Sequence, residues 1–256
     1  MARHRTIDRV AHMLELIASR PEGVTLSEVA KVVGAPTSSV HVLLDGLLSA
    51  GYVDRASSRY VLGPAPYVLT LQANQGASRL VTHHDLERLS TEGAFTVVLG
   101  VRVGDDVVII DEAGDDPVLQ HLARSRTRNL ALQGVGGWVL IAAMEDGEMH
   151  EYLRRHERQD LVHVFLEQLA GIRATGVAVG LAKGFSPRAG PGNDTGVLAT
   201  AVRDHNGRAV AYIAIGHHPR YVEDHRGEMA EILLRHSNHW STRRSTSETI
   251  DDEPSR

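Results

Sequence analysis

Residues 25–33, Thr25-Leu26-Ser27-Glu28-Val29-Ala30-Lys31-Val32-Val33, are followed by Gly34-Ala35-Pro36 and then by Thr37-Ser38-Ser39-Val40-His41-Val42-Leu43-Leu44. Thr25 with Glu28 three positions on is a capping box, in which hydroxyl and carboxylate each satisfy an amide that the first helical turn leaves open. The helix it starts presents Leu26, Val29, Ala30 and Val33 to a core and stops at Gly34. A second apolar stripe, Val40, Leu43, Leu44, Leu47 and Leu48, follows at once and runs to Gly51, with Pro36 suited to its first turn. Two helices joined by so short a Gly-containing connection predict a helix-turn-helix.

Upstream, Ile7, Val10, Ala11, Leu14, Ile17 and Ala18 recur at helical spacing until Arg20-Pro21-Glu22-Gly23 interrupts them. Downstream, Tyr52-Val53-Asp54-Arg55 and Arg59-Tyr60-Val61-Leu62 are β-prone runs around Ala56-Ser57-Ser58 and predict a hairpin. Three helices and a hairpin make a winged helix. The second helix of such a motif enters the major groove, so its contacts are the residues facing away from the apolar stripe. Candidate DNA contacts are Thr37, Ser38, Ser39, His41 and Val42, with Ser27 on the preceding helix, and Asp45 points away from the phosphates. Hydroxyls and first-turn amides suit phosphate, but Ser38, His41 and Val42 are expected to face bases, His41 at a base edge and Val42 at a thymine methyl, while Arg55 and Arg59 of the hairpin are expected to hold the backbone. Arg55, Ser57, Ser58 and Arg59 place basic and polar groups at the hairpin tip, and Arg3, Arg5 and Arg9 form a basic arm. A solvated surface or a protein-binding surface is the plainer reading of the same residues.

The chain has 256 residues, 42% hydrophobic and 23% charged, a composition that buries a core and a length that favours two domains. Its net charge is -5, yet residues 1–72 carry seven basic and six acidic side chains, so nucleic acid meets the front end. Absence of cysteine excludes disulfides, thiolate metal sites and cysteine nucleophiles. The histidine pairs His83-His84 and His217-His218 are adjacent, which turns their rings apart, so no metal or other cofactor is expected. No apolar run approaches the ~18 residues of a bilayer span, so no membrane partner and a cytoplasmic location are expected. The commonest hydrolase, nucleotide and zinc-protease signatures are absent. Gly134-Val135-Gly136-Gly137-Trp138-Val139 approaches a dinucleotide fingerprint but has Val139 at the third glycine, so close packing at a helix start is the expectation. We therefore expect no enzyme.

Beyond the hairpin, a helix from Pro64 to Ala77 reads as a linker. Helices are predicted at 82–92, 136–143, 146–156, 161–175 and 222–240, and strands at 96–103, 107–112, 177–182, 196–203 and 208–216. This pattern describes an α+β domain on a mainly antiparallel sheet. Arg124, Arg126 and Arg128 alternate, which on an extended segment aligns three guanidinium groups, either to frame a pocket or as a solvated edge. Trp138 either lines a cavity or fills the core. The domain limits expected are 1–63 for the winged helix, 64–78 for the linker, 79–242 for the second domain and 243–256 for a disordered tail.

Residues 25–30, 34–44, Leu47, Gly51-Tyr52-Val53 and Arg59-Tyr60-Val61-Leu62-Gly63 resemble, in order, the IclR family of bacterial transcriptional regulators. Gly104-Asp105-Asp106-Val107-Val108-Ile109-Ile110, the Gly176 region, Gly196-Val197-Leu198-Ala199 and Gly207 extend the likeness to about residue 242. This second part is similar to the family's effector-binding domain, which resembles the GAF fold. The sequence departs from the family where a basic residue usually stands at Thr37 and an Arg at Val42. It departs further at 129–138, where the family's Pro, His, Thr and Lys are absent. The resemblance implies a regulator that binds double-stranded DNA. One winged helix buries little surface, so a homodimer or dimer of dimers on an inverted repeat is expected. A small-molecule effector is expected between residues 130–138 and 197–202. Its candidate contacts are Arg128, Leu130, Leu132, Gln133, Val135, Trp138, Ala199 and Thr200, a largely apolar set that suits a hydrophobic ligand. The alternatives are a ligand-independent DNA-binding dimer and a sensor whose winged helix grips protein.

Overall fold

Three amphipathic helices close the first core: α1 (Arg5–Ala18), α2 (Leu26–Val33) and α3 (Thr37–Ser49). They surround Met13, Ile17, Val29, Val40 and Leu44, all essentially inaccessible to solvent. The computed structural model describes residues 5–73, 80–182 and 195–242. The chain divides into two units, residues 1–75 and 76–256. In the first, the capping box is complete, Gly34 ends α2 in the left-handed conformation at φ 63°, and Pro36 immediately precedes α3. The strands β1 (Val53–Ala56) and β2 (Arg59–Leu62) pair antiparallel. A further bridge joins Val24 to Tyr60 through two backbone hydrogen bonds of 2.9 and 2.7 Å, which fastens the hairpin to the entrance of α2.

Arg5 and Arg9 lie on α1 and not on an extended arm, because the apolar repeat that starts at Ile7 carries the helix back to Arg5. Arg3 lies outside the described residues. The linker expected from Pro64 to Ala77 is a helix, α4, over Ala65–Ala73. Residues 74–77 and the tail expected from 243 onward lie outside the described residues.

The second unit carries one six-stranded sheet in the order β5-β4-β3-β8-β7-β6, with every neighbouring pair antiparallel. The strands are β3 (Thr96–Val103), β4 (Asp106–Ala113), β5 (Arg128–Leu130), β6 (Val177–Ala182), β7 (Thr195–Arg203) and β8 (Ala209–His217). One face is covered by α5 (His83–Gly93) and the closing helix α10 (Pro219–Thr242). There Leu86, Leu89, Met229, Leu233 and Trp240 meet Val97, Leu99, Leu198, Ile213 and Ile215. The other face carries α6 (Pro117–Ser125), a 3-10 turn at Ala131–Gln133, α7 (Val135–Ala142), α8 (Asp146–Arg155) and α9 (Gln159–Thr175). Leu132, Leu140, Ile141, Phe165 and Ile172 pack there with Val98, Ile109, Ala199, Tyr212 and Ala214.

The arginine triplet is a correction. Arg124 ends α6, Arg126 turns the chain with a left-handed φ of 52°, and Arg128 opens β5, so the three do not share an extended side. The turn holds because the Arg126 guanidinium donates to the carbonyls of Ala123 and Ile110.

Gly136 and Gly137 set how closely α7 approaches the sheet. A Cβ on Gly136 would stand 2.4 Å from the Tyr212 ring, and one on Gly137 would stand 1.9 Å from the Ala131 carbonyl oxygen. Gly134, at φ -158°, has open space where its Cβ would be. Gly137→Ala is expected to destabilise the second unit by about 2 kcal/mol or more, because backbone must move to admit the methyl group. Gly134→Ala should stay within about 0.5 kcal/mol of the parent. Urea denaturation of both variants checks the contrast.

Candidate DNA-reading surface and effector face

On α3, Thr37, Ser38, Ser39, His41 and Val42 are exposed, Val42 by 70%, while Val40 and Leu44 on the opposite side are fully buried. Ser27 is exposed in the first turn of α2. Pro36 supplies no side-chain cap to α3, and the first backbone bond runs from the Val40 amide to the Pro36 carbonyl. The amides of Thr37, Ser38 and Ser39 are therefore left without partners inside the helix. With the helix dipole behind them, they favour an anion such as a phosphate.

His41 has a partner that the sequence reading set aside. Its Nδ1 lies 2.8 Å from Oδ2 of Asp45, one turn along, with both side chains about half exposed. With Nδ1 engaged by that carboxylate, Nε2 is the ring nitrogen left for a further hydrogen bond, such as one to a base edge. Asp45 is a positioning group in this geometry. Its signal in the sequence was the i, i+4 spacing alone.

The hairpin tip is Ser57-Ser58, both exposed, with Ser57 at φ 58°. Arg55 is exposed and its guanidinium carbon stands 5.8 Å from the centroid of the Tyr60 ring. Arg59 differs from it: Nη1 donates to the Gly23 carbonyl at 2.8 Å and lies 3.7 Å from Oε2 of Glu28. The Glu28 carboxyl is held below its ordinary range, first by the Thr25 backbone amide and hydroxyl and then by Arg59 and Arg20. Of the two hairpin arginines, Arg59 therefore ties the wing to α2, and Arg55 projects.

On the second unit, Leu132 and Ala199 are buried, and Leu130, Val135 and Trp138 half-buried, on the face under α7 and α9. The Trp138 indole nitrogen donates to the Leu132 carbonyl at 2.9 Å. Gln133 is exposed in the 3-10 turn. Arg128 stands at the sheet edge, 3.8 Å from Asp106 and bonded to the Val103 carbonyl. Thr200 was expected beside Ala199 and lies on the opposite face, because side chains alternate along a strand. It packs on the side of Leu198 and Val202, and its hydroxyl donates to the Gly176 carbonyl at 2.7 Å, so it does not line this face. The central residue there is Tyr212, which the sequence reading missed. Its ring lies between Gly100 of β3 and Gly136 of α7, where a Cβ on either would stand within 2.5 Å. The residue is 5% exposed, burial pushes its phenol well above the ordinary value, and its hydroxyl has no hydrogen-bond partner among the described residues.

Residues 6–57 match the family model described as IclR helix-turn-helix domain, and residues 78–242 match the one described as Bacterial transcriptional regulator IclR C-terminal. The chain belongs to the IclR family. The regulator TtgV of Pseudomonas putida is 28% identical over 185 residues, covering 68% of this chain and 70% of that protein. The glycerol operon regulatory protein of Streptomyces griseus is 35% identical over 106 residues, covering 39% of this chain and 42% of that protein. An IclR homologue from Microbacterium hydrocarbonoxydans, solved with 4-hydroxybenzoate, shares the fold at a TM-score of 0.67. It is 20% identical, over 92% of this chain and 97% of that one. The Thermotoga maritima IclR structure aligns at 0.55, with 22% identity over 92% and 97%. This IclR protein is accordingly a transcriptional regulator, built as a winged helix followed by an α+β domain on an antiparallel sheet. Among the described residues no single helix is long and apolar enough to cross a membrane.

The two hairpin arginines are separable by stability. Arg59→Ala is expected to lower the unfolding free energy of the first unit by about 1 kcal/mol, the net worth of its lost bond to Gly23. Arg55→Ala should leave it within about 0.5 kcal/mol. Denaturant titration followed by far-UV circular dichroism reads both.

Proposed function

We propose that this regulator binds an inverted-repeat DNA operator as a symmetric pair in the cytoplasm, with α3 of each copy in successive major grooves. The observation that carries this reading is the composition of α3's outer face: open first-turn amides, three hydroxyls, Val42 and the His41–Asp45 pair on one exposed side. Pairing is supported by α4, which buries no residue and leaves Tyr67, Val68, Leu69 and Leu71 at least 43% exposed. A helix apolar on all sides needs a partner surface, and a second copy of the same helix supplies one. The reading assigns residues 1–63 to DNA, 64–78 to the linker and 79–242 to effector binding. In it Thr37, Ser39, Ser27, Ser57, Ser58 and Arg55 contact the DNA backbone, and Ser38, His41 and Val42 face bases; Arg59, engaged by Gly23 and Glu28, is withdrawn from the backbone contacts. It gives the chain no catalytic role.

The test is a gel shift on DNA upstream of the protein's own and neighbouring genes, compared with an isolated half-site. A saturable shift that survives competitor DNA and weakens steeply on the half-site is expected, and its absence across all fragments defeats the reading. His41→Ala should cost about 1–3 kcal/mol and relax selectivity at one base position, with Asp45→Ala affecting that same position. Arg55→Ala should weaken all sequences alike and lower the salt slope by about one unit.

The effector seat in this reading is the space under α7 bounded by Leu130, Leu132, Val135, Trp138 and Ala199, with Tyr212 at its centre. Gln133 and Arg128 stand at its rim as candidate polar partners. The Microbacterium hydrocarbonoxydans relative bound to 4-hydroxybenzoate supports a small aromatic ligand in this type of domain. A ligand-independent regulator is favoured by a different observation, that the Tyr212 ring already fills the gap between Gly100 and Gly136. A panel of small aromatic acids and phenols separates the two. Stabilisation of the wild-type chain with a change in DNA affinity supports the effector, since a ligand shifts only an equilibrium whose states it binds unequally. Stabilisation of Tyr212→Ala alone identifies Tyr212 as a permanent filling.

A further inference from the structure

On the sheet face opposite that seat, α5 and α10 carry charges in two rungs one helical turn apart. On the first rung a single carboxylate, Glu92 of α5, is shared by two side chains of α10. Arg235 donates to one oxygen, and Nε2 of His236 lies 2.7 Å from the other. The His236 hydrogen bond and then Arg235 hold the Glu92 carboxyl below its ordinary range, so it is the ionised partner of both.

One turn back along α5, four residues before Glu92, stands Arg88. One turn forward along α10, four residues after Arg235 and His236, stand His239 and Trp240. The place that an acid occupies on the first rung is thus taken by a guanidinium on the second. A cavity of about 270 Å³ opens at that point, lined by Asp85, Arg88, Arg235, His236, His239 and Trp240. Asp85 supplies the one carboxylate among these six, and it is buried as the third residue of the α5 capping box. It accepts from the Thr82 amide at 2.9 Å and the Thr82 hydroxyl at 2.7 Å. Arg88 and His239 are exposed, and neither the Arg88 guanidinium nor the His239 ring has an ion pair or hydrogen bond to another described residue; the His239 carbonyl accepts from the Thr242 hydroxyl.

The geometry points to a binding site for a small polycarboxylate that supplies the missing anion of the second rung. One carboxylate sits between Arg88 and His239, and another reaches toward Arg235. The carboxylate class follows from the first rung, where the same helix pair already holds such a group with one oxygen on Arg235 and the other on His236. A guanidinium fork matches the two oxygens of a carboxylate, and hydrogen bonds between charged partners are roughly twice as strong as neutral ones. A second carboxylate reaches Arg235, which lines the same cavity while sharing its guanidinium with Glu92. An occupant would join α5 to α10.

The experiment uses the full chain at neutral pH, with citrate as the probe and sodium chloride and inorganic phosphate at matched ionic strength as comparisons. Thermal denaturation and isothermal titration calorimetry are read together. Citrate is expected to raise the melting temperature saturably, and sodium chloride is not. Arg88→Gln should weaken citrate binding by about tenfold or more while leaving the unliganded melting temperature unchanged, because the side chain is exposed. His239→Gln should weaken it in the same direction. Equal effects of citrate and sodium chloride, or undiminished binding by Arg88→Gln, overturn the site. Phosphate binding as tight as citrate overturns the carboxylate class. None of these readouts involves DNA or aromatic ligands, so their failure is distinct from failure of the operator or effector readings.

Discussion

The central strand β8 is buried on both sides from Ala211 to Gly216, and the rest of the second unit is arranged around that fact. A strand covered on both faces must satisfy two packing surfaces at a period of two residues. Ile213 and Ile215 turn to α10 and α5, while Tyr212 and Ala214 turn to α7 and α9. The Tyr212 ring is too large for a close-packed layer unless its neighbours give way. Gly100, its cross-strand partner, and Gly136, above it, both lack the Cβ that would collide with it. That fit brings α7 down onto the 3-10 turn, where Gly137 lies against the Ala131 backbone.

The first unit meets a different constraint. Its core is small, so fastening the hairpin depends on the Val24–Tyr60 backbone bridge and on Arg59, which reaches across to Gly23 and Glu28. Because those groups hold the wing from inside, Ser57, Ser58 and Arg55 are left exposed. On α3 the division is sharper still. Val40 and Leu44 take the core side, and the opposite side keeps its hydroxyls, the His41–Asp45 pair and uncapped amides. A surface that packing does not need is available to read DNA.

The two layers on the sheet also separate two chemistries. Under α7 the packing is apolar and centred on the Tyr212 phenol, which has no hydrogen-bond partner among the described residues. Between α5 and α10 it is ionic, with the Glu92 carboxylate shared by Arg235 and His236, and Arg88 and His239 beside them. For an occupant of either layer to alter DNA binding, it would have to favour one of two arrangements of the molecule, since a ligand with equal affinity for both shifts nothing.

Local signals determined most of the elements. The Thr25–Glu28 capping box, Gly34, and the apolar periods of α1 to α3 were readable because they act between residues a few positions apart, and the strands 177–182 and 196–203 lie within a residue of β6 and β7. Exposure of Thr37, Ser38, Ser39, His41 and Val42 followed from the same periodicity. The arginine triplet misleads because alternation looks alike on a strand and across a helix end, and the contacts that turn the chain at Arg126 come from distant carbonyls. Thr200 falls on the other face because a run of strand residues does not say which parity faces which layer. Tyr212, the two-rung pairing of α5 with α10, and the internal role of Arg59 join residues remote along the chain. Sequence therefore determined the helices, the strands and the exposed side of α3, whose causes are local. Only the tertiary structure decided which face each strand residue serves and which charges meet, because those depend on contacts between residues up to 144 positions apart.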